Sequence, residues 1–235
     1  MEKLQIYLQK AKLHKAFDVA TGRGEFISTI RYLAGDGIQI TGIDKRGRML
    51  ETSRKQFPEV EFIEGDAYHL PFADKSYDLV CISNSLHHFQ EPEKVISEMR
   101  RVVQPEGYIL IQEMVCDEDQ TAAQKSHIQI HHYCAEVDML SGTYHKKTWD
   151  SQKLEDFIGR EFEELILKSE YSYPVEDEHD EKQIASICQA IEHYLIKLKG
   201  IKEKEYLREK GESVRIYLQE HGFASAREKL YLMKL

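Results

Sequence analysis

The sequence predicts an α/β domain built on a mostly parallel sheet with helices on both faces. Three observations carry this. Between residues 15 and 115, short apolar runs of strand length alternate with amphipathic segments of helix length, which is the pattern of parallel strands joined by crossover helices. The first run, Phe17-Asp18-Val19-Ala20, stops at Thr21-Gly22-Arg23-Gly24-Glu25, where two glycines let a ligand approach main-chain amides at the mouth of a helix. The second and third runs, Ile38 to Ile43 and Val60 to Gly65, are each followed by a carboxylate, Asp44 and Asp66, so three strand ends present ligand groups on one rim. Asp44 stands 20 residues after Gly24, the spacing of a carboxylate that grips a ribose.

Taken in order, residues 2 to 14 carry Leu4, Ile6, Tyr7, Ala11 and Leu13 at helical spacing, which predicts an amphipathic helix that packs on the domain or covers the ligand edge. Glu25 to Ala34 is the first crossover helix, and Arg46 to Phe57 the second, ended by Pro58. Ser76 to Ile82 is the fourth strand, with Cys81 as a small core residue. It runs into Ser83-Asn84-Ser85-Leu86-His87-His88-Phe89, the expected floor of a reaction pocket, because ligands of open α/β sheets sit beyond the carboxyl ends of strands. Glu91 to Val103 follows as a helix with Pro92 in its first turn, and Tyr108 to Met114 as the fifth strand.

The second half is less regular. Residues 116 to 148 hold His127, His131, His132 and His145, with Tyr133, Asp138 and Tyr144 among them, and are expected to wall a substrate pocket or to form a solvated helix. His127 and His131 lie one helical turn apart, but no H-E-x-x-H pattern accompanies them and no metal is expected. Gly142 to Lys147 is a loop suited to order over a substrate, anchored by Trp149. Asp150-Ser151 caps a helix through Gly159, and Phe162 to Tyr171 is the sixth strand. The acidic run Val175 to Glu181 leads into residues 181 to 221, read as two helices broken near Gly200. Lys229 to Leu235 supplies a seventh, antiparallel strand. One domain is expected over 1–235, with a ligand half (1–115) and a substrate-side half (116–235) whose helical insertion at about 176–221 serves as a lid, a homodimer surface or padding.

Composition narrows the function classes. A net charge of -9 over 235 residues argues against long-range attraction to nucleic acid or an anionic membrane. The four cysteines form no C-x-x-C pair, the first residues lack the apolar core of a signal peptide, and no stretch of about 18 apolar residues is present. A reducing cytoplasm is the expected setting.

The ligand class follows from the glycine turn. A dinucleotide fingerprint from Gly22 would need glycine or alanine where Ile27 stands, so a pyrophosphate is disfavoured. S-adenosylmethionine offers a carboxylate, a ribose and an adenine without phosphate, and suits a shorter turn with two acidic strand ends. At this point the chain resembles the class I S-adenosylmethionine-dependent methyltransferases, and within them the ubiquinone and menaquinone biosynthesis group. The matching residues are Asp18 to Gly24, Gly42-Ile43-Asp44, Glu64-Gly65-Asp66-Ala67, Leu70-Pro71-Phe72, Tyr77 to Val80, Leu86-His87-His88-Phe89 and Arg100 to Gly107, in order over roughly residues 16 to 115. Two positions depart from the pattern: Ala20 stands where glycine is commoner, and the usual double glycine before the fifth strand is reduced to Glu106-Gly107.

The resemblance implies a Rossmann-like sheet of seven strands in the order 3-2-1-4-5-7-6. It also implies S-adenosyl-L-methionine as cofactor, S-adenosyl-L-homocysteine as product and a small-molecule acceptor. Asp44 would accept the ribose hydroxyls and Asp66 the adenine amino group. Ala20, Thr21, Gly22 and Gly24 would approach the methionine and ribose portion, with Asp18 supporting the turn and the amino group. Lys45 and Ala67 complete the cofactor set, and Ser83 and Asn84 are expected to meet the methionine end. His87 and His88 are the candidate catalytic groups, since an imidazole can take a proton near neutral pH. His131, His132, Tyr144 and His145 are candidates on the substrate side. Two alternatives remain: a cofactor-binding module without turnover, and an RNA-modifying methyltransferase. The acidic balance and the lack of an N-P-P-Y-type motif after the fourth strand argue against the second.

Overall fold

The computed structural model describes residues 1–198, 202 and 204–235. Seven strands, β1 (Lys15–Val19), β2 (Gln39–Asp44), β3 (Glu61–Glu64), β4 (Tyr77–Ser83), β5 (Val103–Met114), β6 (Leu165–Tyr171) and β7 (Glu228–Lys234), form one sheet in the order β3-β2-β1-β4-β5-β7-β6. The first five pair in parallel, and β7 is inserted antiparallel between β5 and β6. This is the order that the resemblance implies. The strand order reverses between β1 and β4, so their carboxyl ends diverge into crossovers on opposite sides and leave a crevice at that rim.

Period-two alternation along the central strands builds a core on each face. Leu79, Cys81 and Leu110 point to one side, where they meet α1 (Glu2–Lys10), α2 (Ile27–Ala34) and α3 (Gly47–Gln56). Val80, Ile82, Ile109 and Ile111 point to the other, against α4 (Pro92–Val102) and α6 (Ser151–Glu161). Cys81 is a core residue, as the apolar run around it predicts, and burial pushes its thiol well up. Asp150 caps α6 by accepting from the Lys153 amide at 2.9 Å, again as expected.

The N-terminal helix is shorter than expected. It ends at Lys10 because Lys12 takes a left-handed φ of +52°. Its Leu4 and Leu8 are fully buried in the core that holds Ile27, Ile30 and Leu33 of α2, so it is a packing helix and not a cover for the ligand edge. The first crossover helix also starts later, at Ile27, since residues 22–26 form successive turns. The fifth strand is longer: Val103 already pairs with Tyr77, and the register then jumps to Tyr108 opposite Leu79, so residues 104–107 bulge out of the ladder.

Beyond the sheet lies α5 (Ala122–Leu140), opened by a capping box between Thr121 and Gln124. The insertion consists of α7 (Glu181–Lys197) and α8 (Lys204–His221); the expected break near Gly200 falls outside the described residues. These helices close a third core on α5 around Tyr133, Val137, Ile191, Leu207 and Val214. Among the described residues, no helix is long and apolar enough to cross a membrane.

Candidate active site

A cleft of about 710 Å³ opens over the carboxyl ends of β1 to β4. This lies within the 300–1,000 Å³ range, roughly, of small-molecule sites. One wall is the glycine turn. Gly22 and Gly24 adopt φ of +56° and +82°, a region that side-chain-bearing residues rarely enter, so the predicted conformational demand on both glycines is met. Ala20, just before them, is also left-handed at +55°. Glu106, the other departure from the family pattern, sits at +68°. Both positions where this chain lacks a usual glycine therefore carry the backbone cost that glycine would avoid, about 1–2 kcal/mol each.

The turn is pinned from β2 and α3. The Gly22 amide donates to Asp44 Oδ2 at 3.0 Å, the Arg46 amide donates to Asp44 Oδ1 at 2.8 Å, and the Ser53 hydroxyl donates to the Gly22 carbonyl at 2.9 Å. Asp44, Lys45, Asp66 and Ala67 all line the same cleft, together with Ala20 and Gly22. A carboxylate offers about four lone-pair sites, so Asp44 retains capacity beyond the two amides it serves.

Asp18, Thr21 and Gly24 stand behind that wall. Thr21 donates its hydroxyl to Asp18 Oδ2 at 2.6 Å, while Asp18 Oδ1 is buried and without a partner. Burial pushes the Asp18 carboxyl up to about 7, against the lowering effect of the Thr21 bond. An orphaned acceptor one layer behind the turn is what a ligand amino group, directly or through water, would satisfy.

After β4 the site differs from expectation at Ser83 and Asn84. Asn84 does not face the cleft: its amide donates to Glu228 Oε1 at 2.9 Å, and its Oδ1 accepts from the Met114 amide at 2.6 Å. Ser83 closes β4, and its carbonyl accepts from the Ser85 hydroxyl at 2.8 Å. Ser85 is the cleft residue here, with His88, Phe89 and Gln90. The physical reason is Asn84's left-handed φ of +45°, which turns the chain out of the strand one residue early.

His87 is 2% exposed and does not line the cleft, its Nδ1 hydrogen-bonded to Glu113 Oε2 at 2.9 Å. His88 does line the cleft. Burial, and then the neighbouring His87 and His145, lower its pKa to about 2, which keeps the ring neutral and opposes its use as a proton acceptor near neutral pH. Of the substrate-side candidates, Tyr144 lines the cleft, with Gly142 and Thr143 of the same loop. Trp149 anchors that loop through a bridge to Val115 and ring packing on Phe157 at 5.3 Å.

His131, His132 and His145 lie behind the wall. His145 Nδ1 bonds Asp138 Oδ2 at 2.9 Å, and its Nε2 meets His131 Nε2 at 3.3 Å. His132 Nε2 bonds the Thr148 hydroxyl at 2.9 Å. Burial depresses His131 strongly and His132 to about 4. The helical-turn pair His127 and His131 is divided: His127 Nδ1 accepts from the Ala226 amide at 3.1 Å, whereas His131 joins His87, His88 and His145.

Sequence reasoning missed Glu113 and Glu228. Glu113 is fully buried, and its Oε1 accepts from the Ser85 and Leu86 amides at 2.8 and 2.7 Å. Glu228, pushed up to about 7 chiefly by burial, accepts from Asn84 and Gln112. The available signal was a carboxylate beside an apolar run: Glu113 after Tyr108 to Ile111 in β5, and Glu228 as the first residue of β7.

Solved structures place the architecture. The YcgJ protein of Bacillus subtilis superposes with a TM-score of 0.57 at 15% identity, covering 99% of this chain and 97% of that one, which establishes the shared fold. Residues 17–111 match the family described as a methyltransferase domain. The fold is thus shared with solved structures, and the family match is confined to residues 17–111, the segment that runs from within β1 through most of β5. Over part of its length the chain is similar to methyltransferases of ubiquinone and menaquinone biosynthesis. The demethylmenaquinone methyltransferase of Thermotoga maritima is 36% identical over 101 residues, 43% of this chain and 44% of that protein. The ubiquinone/menaquinone biosynthesis C-methyltransferase of Campylobacter jejuni is 34% identical over 114 residues, 47% of this chain and 48% of that one. The chain thus spans about half the length of the curated relatives it matches.

Proposed function

We propose that the protein transfers a methyl group from S-adenosylmethionine to a small organic acceptor, with residues 1–115 holding the cofactor and residues 116–235 shaping the acceptor side. The observation that carries this is the convergence of Asp44 and Asp66, from different strand tips, on one cleft whose opposite wall is His88 and Tyr144. The buried, unpartnered Asp18 Oδ1 and the left-handed Gly22 turn fit the methionine end. When bound, S-adenosylmethionine supplies a methyl group on a sulfonium that is already an excellent leaving group.

The protein's own task is then positional. Asp44 would accept from the ribose hydroxyls, Asp66 from the adenine amino group, and Asp18 from the methionine ammonium. Ser85, His88, Phe89 and Tyr144 line the same cleft and would border an acceptor, whose placement beside the methyl group is the positioning that the reaction needs. No proton acceptor is required of His88, in keeping with its depressed pKa.

Two measurements test this reading. Calorimetry should show S-adenosylhomocysteine binding and no binding of NAD. Incubation with methyl-labelled S-adenosylmethionine and a panel of quinols, phenols and amines should label at least one acceptor; demethylmenaquinone is included because the relatives' names point to it. Binding of NAD in preference to S-adenosylhomocysteine would refute the cofactor assignment, and binding without transfer to any acceptor class would leave a cofactor-binding module.

A further inference from the structure

We propose that His87, His88, His131 and His145 form a binding site for a divalent transition-metal ion of the zinc type, set at the acceptor end of the cleft. The four rings come from three separate segments: the single 3-10 turn after β4, the middle of α5, and the loop that follows α5. One ligating nitrogen from each lies within 4.8 Å of all the others. With Zn–N bonds of about 2.0–2.1 Å, two nitrogens on a tetrahedral zinc stand about 3.3 Å apart. The His131 and His145 Nε2 atoms are already at that separation, 3.3 Å.

The supports of the rings argue for the same conclusion. His87 and His145 each give Nδ1 to a carboxylate, Glu113 and Asp138, both at 2.9 Å. A carboxylate on the outer nitrogen fixes the tautomer and turns Nε2 inward as a neutral, basic ligand, as metal-bound histidines are usually held. Two of the ring nitrogens, His87 Nε2 and His131 Nδ1, are buried without any partner. Aromatic packing alone would leave the inward His87 nitrogen unsatisfied, at a cost of about 1–3 kcal/mol. A cation among the four rings satisfies it. An all-imidazole set suits zinc, cobalt, nickel or copper better than magnesium or calcium.

His88 also lines the cleft, so the cation would lie beside the space left for the acceptor. An acceptor with an oxygen or sulfur donor is the class such a neighbour favours. That last point rests on the methyl-transfer reading; metal binding itself does not.

The test uses the full chain stripped with a chelator and titrated with Co²⁺, then with Zn²⁺ as competitor. One Co²⁺ per chain is expected, with the intense visible absorption of a four-coordinate ion, displaced by Zn²⁺. The double variant His131→Ala/His145→Ala should bind at least about a hundredfold more weakly, and Asp138→Asn, which keeps every ring, about 10- to 100-fold more weakly. His145→Asn serves if the double variant does not fold. The absence of bound Co²⁺, a pale six-coordinate spectrum, or unchanged binding in these variants overturns the proposal. S-adenosylhomocysteine titration of the same samples reads the other end of the cleft. A chain that binds it but no metal sinks this inference alone, and a chain that binds metal but no S-adenosylhomocysteine sinks the cofactor assignment alone.

Discussion

Glu113 of β5 holds His87 at 2.9 Å, with both side chains essentially out of contact with solvent, and the other oxygen of the same carboxylate takes the main-chain amides of Ser85 and Leu86. One buried carboxylate therefore orders the whole turn that carries His88 to the cleft. An ionised carboxylate accepts only, so His87 Nδ1 is the donor of that bond.

Removing that carboxylate strands three buried donors, each worth about 1–3 kcal/mol. Glu113→Ala is expected to lower stability by several kcal/mol, read as a fall in the urea midpoint. Glu113→Gln keeps an acceptor for the two amides but sets an amide N–H against His87, and should cost less. Equal stability of all three proteins would show that the turn is held by something else.

Asp44 joins the glycine turn to the start of α3 and faces the cleft. Hydrogen bonds to a charged carboxylate are worth about 1.5–3 kcal/mol each, so Asp44→Ala should weaken S-adenosylhomocysteine binding tenfold or more. Calorimetry checks this directly, and an unchanged Kd would remove Asp44 from the cofactor site.

Asp18 gives a pH signature. Its folded-state pKa of about 7 is raised above the ordinary carboxylate value by burial, so its contribution to stability is fully present below about pH 4 and is lost as pH rises through 7. Pairing with a ligand ammonium requires the ionised form. Affinity for S-adenosylhomocysteine should therefore fall as pH drops below about 7, with proton release on binding, detected by calorimetry in buffers of different ionisation enthalpy. Asp18→Asn should flatten that dependence; a wild-type affinity level from pH 5.5 to 7.5 would refute it.

Ala20 tests the backbone argument. At a φ of +55°, Ala20→Gly should leave stability unchanged or raise it by up to about 1 kcal/mol. Ala20→Val, whose branched side chain fits this region worst, should cost about 2 kcal/mol or more and weaken cofactor binding. Thermal unfolding compares the three, and a stable Val variant would show that the turn adopts another conformation.

The fold was readable because its signals are local and periodic. Leu79, Val80, Cys81 and Ile82 alternate between two faces, glycines fall at a left-handed turn, and Asp44 and Asp66 end strands that the pattern itself marks. Those features follow from the geometry of adjacent residues, so the sequence placed Ala20, Gly22, Asp44, Lys45, Asp66 and Ala67 on one rim. The opposite side of the cleft was not legible in this way. Asn84 looked like a ligand residue until Glu228, far along the chain, claimed its amide. His127 and His131 lie one helical turn apart in sequence, yet α5 sets one against Ala226 and the other beside His87 and His145. Local chemistry and spacing determined the strand-end carboxylates and the left-handed glycine turn that line the cleft. Only packing of β5, α5 and the loop after it decided which histidines meet, because that choice depends on contacts between segments whose separation in sequence carries no information about their distance in space.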